Sequence, residues 1–412
     1  TRKVGLFMIN PSMEYMSGGP TKVEFMGHRD TNTEAAATVL NYWRSSHYGG
    51  AEVNVAAGEA WEKVVGPMFL YANSGPDPDA IYADARARAA LEAKKWPYSW
   101  VKGVDYPLEG NRAVVSGRLL LNDPITPKTF VNLKVGLTAP AYESPRLVAP
   151  PVPVITDWQR DGKFYQFWVK GNPDGSFSIP DVRPGRYTLH AFSDGILGEF
   201  IKSEVVVPKG GELRLGNLEW IPLRKGVQLW DIGVANRSAS EFFLAEKHVD
   251  PEISLAYGAL FPKDVNYTIG KSNFRTDWFF QHVPHNENPE AKSAPFYGAN
   301  SPGRATPYTV NFALPSVPKG TAILRLAICG TGSRTLDVTV NGKPAGKLDN
   351  LVGDGVITRH GLQGIWYEKE IVFDGALLQA GNNQLVLTVP AGPVNNGIMY
   401  DYIRLEMRKI EY

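Results

Sequence analysis

The 412-residue chain has a single cysteine, Cys329. No internal disulfide can form, and the flanks at 324–328 read as a buried strand, which marks Cys329 as a small core residue rather than a reactive thiol. A lone cysteine leaves the cellular compartment open. Charge of one sign is also lacking, since 43 Lys and Arg stand against 42 Asp and Glu for a net charge of +1. That balance supplies no overall field for nucleic acid or an anionic membrane, so neither is expected as a partner. No stretch approaches the roughly 18 consecutive apolar residues of a membrane span, and no signal peptide is legible. The chain begins at Thr1 rather than Met, and the expectation is that something upstream has been removed or left out. There is no repeat of fixed period and no low-complexity segment.

The chain does have turn formers. Gly numbers 41 and Pro 31, well above average usage, which points to many short strands and a mainly β protein. Hydrophobic residues at 43% and charged residues at 21% exclude disorder and fibrous classes. At about 100 to 200 residues per domain the length implies two to four domains.

A first region, 1–109, alternates short apolar runs with turns and predicts strands at 4–9, 23–26, 39–43 and 64–71. One helix follows at 78–95, with Asp77 as N-cap, Pro78 at its first position and Pro97 after its end. A second region, 110–224, predicts six strands of a small sandwich, at 113–121, 131–137, 164–169, 176–179, 187–192 and 199–207. The proline-bearing stretch 139–156 reads as an irregular, extended surface insertion. The third region, 225–412, predicts strands at 322–328, 335–341, 370–373, 384–389 and 399–407, in an order that suits a jelly roll.

Four motifs stand in order in the first region: Gly5-Leu6-Phe7-Met8-Ile9-Asn10-Pro11-Ser12, then Ser17-Gly18-Gly19-Pro20-Thr21-Lys22, then Ser46-His47-Tyr48-Gly49-Gly50, then Gly66-Pro67. They resemble the second half of the catalytic domain of the rhamnogalacturonan lyases of polysaccharide lyase family 4. Downstream, Gly175-Ser176-Phe177 through Pro184-Gly185-Arg186-Tyr187-Thr188-Leu189 resembles that family's middle domain, of fibronectin type III or transthyretin-like shape. Leu229-Trp230-Asp231-Ile232-Gly233 and Met399-Tyr400-Asp401-Tyr402 resemble the start and end of its C-terminal jelly roll, which is similar to carbohydrate-binding modules. The resemblance implies three parts. Residues 1–109 would be the C-terminal part of a catalytic β super-sandwich, 110–224 the fibronectin type III-like or transthyretin-like sandwich, and 225–412 the carbohydrate-binding-like jelly roll. It further implies β-elimination at the rhamnose-galacturonate linkage of pectin, a secreted location (extracellular or periplasmic), and rhamnogalacturonan I or a related acidic polysaccharide as partner. The family's Lys base and His acid are expected upstream of Thr1, in a missing N-terminal segment.

Elimination removes the C5 proton of galacturonate, alpha to a carboxylate, and expels the sugar oxygen at C4. It needs a cation to neutralise the carboxylate, a base near C5 and a proton donor for the leaving oxygen. Lysine serves as base only where desolvation or neighbouring cations lower its pKa. The first region holds Arg2, Lys22, His28, Arg29, Arg44, His47 and Tyr48. From these, Gly18 and Gly19 are read as allowing close approach of a sugar chain, Lys22 as holding a uronate carboxylate, and His47 and Tyr48 as polar tips facing a groove. The plainer readings are an exposed turn lysine and a hydrogen-bonded structural histidine.

Outside this set, His282 and His285 form an H-x-x-H without an evident third metal ligand. Residues 271–278 place aromatic and polar groups together, as sugar recognition or a core would. Asn236 and Asn266 open N-glycosylation patterns. Asp401 is a candidate ligand for structural calcium, against the simpler reading as a satisfied strand residue; no cofactor is otherwise implied. The alternative function is a non-catalytic pectin-binding protein.

Overall fold

A computed structural model describes residues 3–21, 25–28, 38–41, 53–125, 129–146, 152–250, 252–285, 303–317, 319–358 and 361–408. The chain packs as two compact units. Among the described residues, one comprises those within 3–192 and 199–220, the other those within 193–198 and 221–408.

The first unit opens with β1 (Val4–Ile9), β2 (Phe25–His28), β3 (Thr38–Asn41), β4 (Phe69–Ser74) and helix α1 (Pro78–Lys95). β1 and β4 pair antiparallel, Val4 opposite Ser74 and Ile9 opposite Phe69, and β2 pairs with β3. Strand alternation turns Gly5, Phe7, Asn73 and Tyr71 toward α1. There Asn73 donates to the Ile81 carbonyl at 2.8 Å and Tyr71 to Asp84 at 2.7 Å. The helix starts as its sequence requires: Asp77 accepts from the Ala80 N–H at 2.8 Å, with proline in the first turn and Lys94 and Lys95 in the last. The strand expected at 64–71 is shifted to Phe69–Ser74. Pro67 has no N–H for a ladder, and the Val64 N–H is taken by the Tyr165 hydroxyl at 2.8 Å.

The same unit continues with β5 (Ala113–Leu121), β6 (Val131–Thr138), β7 (Tyr142–Arg146), β8 (Val152–Thr156), β9 (Phe167–Lys170), β10 (Ser176–Val182), β11 (Gly185–Asp194), β12 (Phe200–Val207) and β13 (Glu212–Trp220). A three-stranded sheet β10-β5-β13 faces a four-stranded sheet β12-β11-β6-β9, with Val115, Leu119, Val135, Leu137, Ile179 and Leu189 buried. Two expectations are corrected. The irregular insertion contains the hairpin β7–β8, whose register sets Pro145 opposite Pro153, so the two residues unable to donate face each other. β13 escaped the sequence reading because Gly216-Asn217 break its short alternating pattern in mid-strand, yet it pairs in parallel with β5. No sheet among the described residues takes strands from both sides of residue 109.

The first segment and the sandwich are joined by a buried ion cluster. Glu14 accepts from Arg112 at 2.7 and 3.2 Å and from Arg183 Nε at 3.3 Å, all three side chains at most 5% exposed. Arg183 also meets the Asp105 carboxylate and carbonyl at 3.0–3.1 Å.

The second unit holds β14 (Val227–Gly233), β15 (Val265–Thr268), β16 (Thr306–Leu314), β17 (Thr321–Thr331), β18 (Leu336–Val340), β19 (Lys343–Leu348), β20 (Tyr367–Asp374), β21 (Gly381–Val389) and β22 (Ile398–Arg408). Sheets β14-β22-β17-β20 and β15-β16-β21-β18-β19 form a jelly-roll-like sandwich. Leu324, Leu326, Val338, Leu385, Leu387 and Ile403 fill it, and Cys329 lies in this core as expected. The turn Asn341-Gly342 has φ of 50° and 76°, the paired positive values that join twisted strands in a tight hairpin. The chain is mainly β, as its composition implied.

Replacing Glu14 with Ala leaves two buried guanidinium groups uncompensated. The expected cost is about 3–5 kcal/mol, read as a lowered urea midpoint; a midpoint unchanged from the parent would show that the cluster is solvated.

Candidate functional site

Gly18 and Gly19 occupy a tight turn after β1, with φ of 82° and 55°. The turn rests on an aromatic layer. Trp158 and Trp168 lie 4.7 Å apart, and Trp158 stacks on Phe192 at 5.9 Å. A Cβ on Gly19 would stand 2.9 Å from Trp168 Nε1 and 3.0 Å from the Trp158 ring. The close backbone approach assigned to a sugar chain is thus made, at Gly19, onto two indoles of the sandwich. Lys22, His47 and Tyr48 lie outside the described residues, as do Arg2, Arg29 and Arg44, and so does the side chain of His28.

Beside this turn is a pocket of about 430 Å³. One wall is the loop after β1, with Ser12 and Met13. Another is the end of α1, with Trp96. The third is β9 and β10, with Trp168, Ile179 and Asp181. Glu14 lines the floor, its carboxylate engaged by Arg112 and Arg183. Arg112 is fixed further by the carbonyls of Pro107 at 2.7 Å and Asp181 at 2.9 Å, and it lies 4.4 Å over the Trp96 ring. Sequence reasoning did not find this constellation, because its parts come from positions 14, 96, 112, 168 and 181, with no local spacing to reveal them.

Sequence reasoning also missed Lys63, a lysine of the type sought. Burial pushes its ammonium pKa down to about 8, with Asp161 and Glu14 opposing the shift and Arg183 adding to it. The ammonium donates to the carbonyls of Gly162 at 2.9 Å and Phe164 at 2.6 Å. That geometry makes it a clamp on the 162–164 loop.

In the second unit the two histidines have separate structural roles. His282 is fully buried and stacked on Tyr308 at 3.7 Å. Its Nε2–H donates to the Thr306 carbonyl at 2.7 Å, so Nδ1 is the acceptor for the Tyr400 hydroxyl at 2.9 Å. Burial pushes its pKa down to about 3. Both ring nitrogens are used, and no lone pair is left for a metal. His285 Nδ1 accepts from Arg304 at 2.8 Å. Of the 271–278 segment, Trp278 is core, edge-on to Tyr308 at 5.1 Å, and Phe274 packs against that core. Asp401 is buried and accepts from the N–H groups of Asn236 and Arg237 at 2.7 and 2.9 Å and from Trp366 Nε1 at 2.7 Å. It holds the 234–241 loop through protein donors. Asn236 donates to Glu241 at 3.0 Å within the same loop.

Two β-sandwiches in succession, the second jelly-roll-like, define the class of fold, and comparison with known proteins gives the family. Residues 141–215 match the model for polysaccharide lyase family 4, domain II, and residues 228–405 the model for domain III. The chain belongs to polysaccharide lyase family 4. A rhamnogalacturonate lyase of Dickeya dadantii is 32% identical over 97% of this chain and 60% of that protein. A probable rhamnogalacturonate lyase B of Aspergillus terreus is 25% identical over 98% of this chain and 63% of that protein. The chain therefore spans about 60% of the length of these relatives. A family 35 carbohydrate binding module from an environmental isolate aligns over 32% of this chain and 89% of its own, at 19% identity and a TM-score of 0.18.

The loop held by Asp401 gives a pH prediction. Burial raises Glu241 from 4.5 to about 7 and Asp401 from 3.8 to about 6. The folded state then binds these protons more tightly than the unfolded chain does. Their stabilising contribution is present at low pH and is lost as pH rises from about 4 through about 7. Calorimetric melting should show Glu241→Gln with a smaller fall in Tm between pH 5 and pH 8 than the parent. An unchanged difference would place the proton elsewhere.

Proposed function

We propose that this chain is the C-terminal portion of a rhamnogalacturonan endolyase that cleaves the rhamnose-galacturonate linkage of secreted-enzyme substrates such as rhamnogalacturonan I by β-elimination. The observation that carries the reading is 32% identity to a rhamnogalacturonate lyase over 97% of the chain, with both accessory family domains in order. On this reading the base and acid belong to sequence preceding residue 1, and the protein acts outside the cytoplasm, where its polymer is found.

The first segment supports an incomplete sheet. The face of β1–β4 turned away from α1 carries Val4, Leu6 and Leu70 at 60, 52 and 71% exposure. A two-stranded sheet is not self-supporting, and an apolar stripe on its outer face calls for more sheet to cover it. A non-catalytic pectin-binding protein is the second reading. It is favoured by one observation: Lys63, the described lysine of lowered pKa, is tied to two carbonyls.

The chain alone should release no unsaturated uronate from rhamnogalacturonan, because positioning without a proton acceptor leaves the C5 proton in place. Ultraviolet absorbance of the product reads this directly, and robust turnover would put the base and acid within residues 1–412. In a full-length protein, His47→Ala should lower turnover by more than about tenfold; an unaltered rate would remove His47 from the site.

A further inference from the structure

We propose that the pocket beside Gly19 binds one neutral sugar residue, its C–H face against the indoles of Trp96 and Trp168 and its hydroxyls on the carboxylate of Asp181. The choice of a sugar rests on the polysaccharide-lyase reading; the pocket's preference for a neutral one rests on its own lining.

Asp181 is the residue the backbone goes out of its way to present. Pairing of β10 with β5 sets Ile179 opposite Val115 and Val182 opposite Ala113, so Pro180 and Asp181 stand against Val114 alone and form a bulge. Asp181 has φ of 54°, a left-handed conformation uncommon for a residue with a side chain. Bulges of this kind re-aim a side chain and recur beside binding sites. Arg112 fixes the residue by donating to its carbonyl at 2.9 Å. The Asp181 carboxylate makes no hydrogen bond or ion pair to any described residue, although it lines the pocket. Burial raises its pKa, opposed by nearby Arg112. A half-desolvated carboxylate left without a partner is an acceptor in want of donors.

What faces it suits a sugar ring. Trp168 spends its Nε1–H on Gln166 Oε1 at 3.0 Å, so it offers the pocket apolar ring surface. Trp96 is half-buried and already carries Arg112 at 4.4 Å. Met13 and Ile179 complete an apolar wall. A volume of about 430 Å³ lies in the range of small-molecule sites. Charge decides between sugars. Among the described residues the lining holds the carboxylates of Glu14 and Asp181 and no Lys, Arg or His, and Arg112 and Arg183 are already paired with Glu14 and Asp105. A uronate would bring a third carboxylate to a pocket with no free cation among the described residues, whereas a neutral hexose or 6-deoxyhexose brings only hydroxyls and C–H surface.

The test is titration of the chain with L-rhamnose, D-galactose and D-galacturonate at pH 7, followed by tryptophan fluorescence. At least one neutral sugar should give a saturable change, with galacturonate at least about tenfold weaker. Asp181→Asn keeps the shape and tolerates the left-handed backbone; it should weaken the neutral sugar about tenfold, the size of one hydrogen bond to a charged group, with an unaltered urea midpoint. Trp100→Ala, which removes an exposed indole outside the pocket, should bind as the parent does. No saturable response, equal binding of galacturonate, or parent-like affinity in Asp181→Asn would each overturn the proposal. A chain that binds neutral sugar through Asp181 while its full-length form lacks lyase activity supports this inference and sinks the lyase reading. An active full-length lyase whose tryptophans do not respond sinks this inference alone.

Discussion

The first unit depends on one buried carboxylate. Glu14 comes from the loop after β1, and its two arginines come from the start of β5 and the turn between β10 and β11. Taking three charges out of water is expensive, and their mutual attraction offsets that cost only when every remaining donor is satisfied. Here they are satisfied by carbonyls at Pro107, Asp181 and Asp105 and by aromatic faces, with Arg183 3.7 Å over Tyr165 and Arg112 over Trp96. The cluster therefore does more than hold two pieces together. Each contact fixes a segment: the accepted bonds hold 105–107 before the sandwich and the β10 bulge, and the guanidinium over Trp96 holds the end of α1. These loops, with the loop after β1, bring together the walls of the pocket.

The second unit solves the same problem with a large core and a buried charge cluster on one sheet. Trp278, Phe279, Tyr308, Tyr257 and Tyr400 pack within the sandwich, where each close aromatic pair adds about 0.5–1.5 kcal/mol beyond its buried area. Across the four-stranded sheet, Arg325 sits between Glu368 and Glu406, at 2.5 and 3.5 Å, and Arg404 reaches Glu406 at 3.3 Å. Arg325 also donates to the Leu223 carbonyl at 2.6 Å, so the segment leading into β14 is tied down by the same charges. His282 is part of the packing: neutral and stacked on Tyr308, it joins the strand at Thr306 to Tyr400 on β22.

Much of this was legible where the signal was local. The helix at 78–95 was readable because Asp77, Pro78 and Pro97 are start and stop signals within a few residues of its ends. The strand at 113–121 was readable by its apolar run, and Cys329 by its flanks. β13 was not, because the alternation of Leu213 and Leu215 with polar residues is broken at Gly216-Asn217, where the register also shifts, before it resumes at Leu218 and Trp220. The hairpin at 142–156 was hidden by prolines, which normally argue against strands. The pocket was illegible for a different reason. Glu14 lies 98 residues from Arg112 and 169 from Arg183, and a bulge at Asp181 depends on how β10 pairs, which the residues of β10 alone do not state. For Lys22, His47 and Tyr48 the resemblance remains the sole argument, since they lie outside the described residues.

On the proposed reading, the arrangement separates binding of a neutral sugar from bond breaking. Elimination alpha to a uronate carboxylate needs cations and a base, because negative charge accumulates around one carboxyl group as the C5 proton leaves. The described pocket offers the opposite, two carboxylates and apolar rings, and such a lining would raise the barrier to that step. A polymer alternating neutral and acidic residues presents both demands at once, and a protein can meet them only at two places. The ion cluster reconciles them: by consuming both guanidinium groups on Glu14, it keeps the pocket's positive charge internal. On the proposed reading, the acidic residues of the polymer are left to a cationic site elsewhere, and the pocket takes a neutral one.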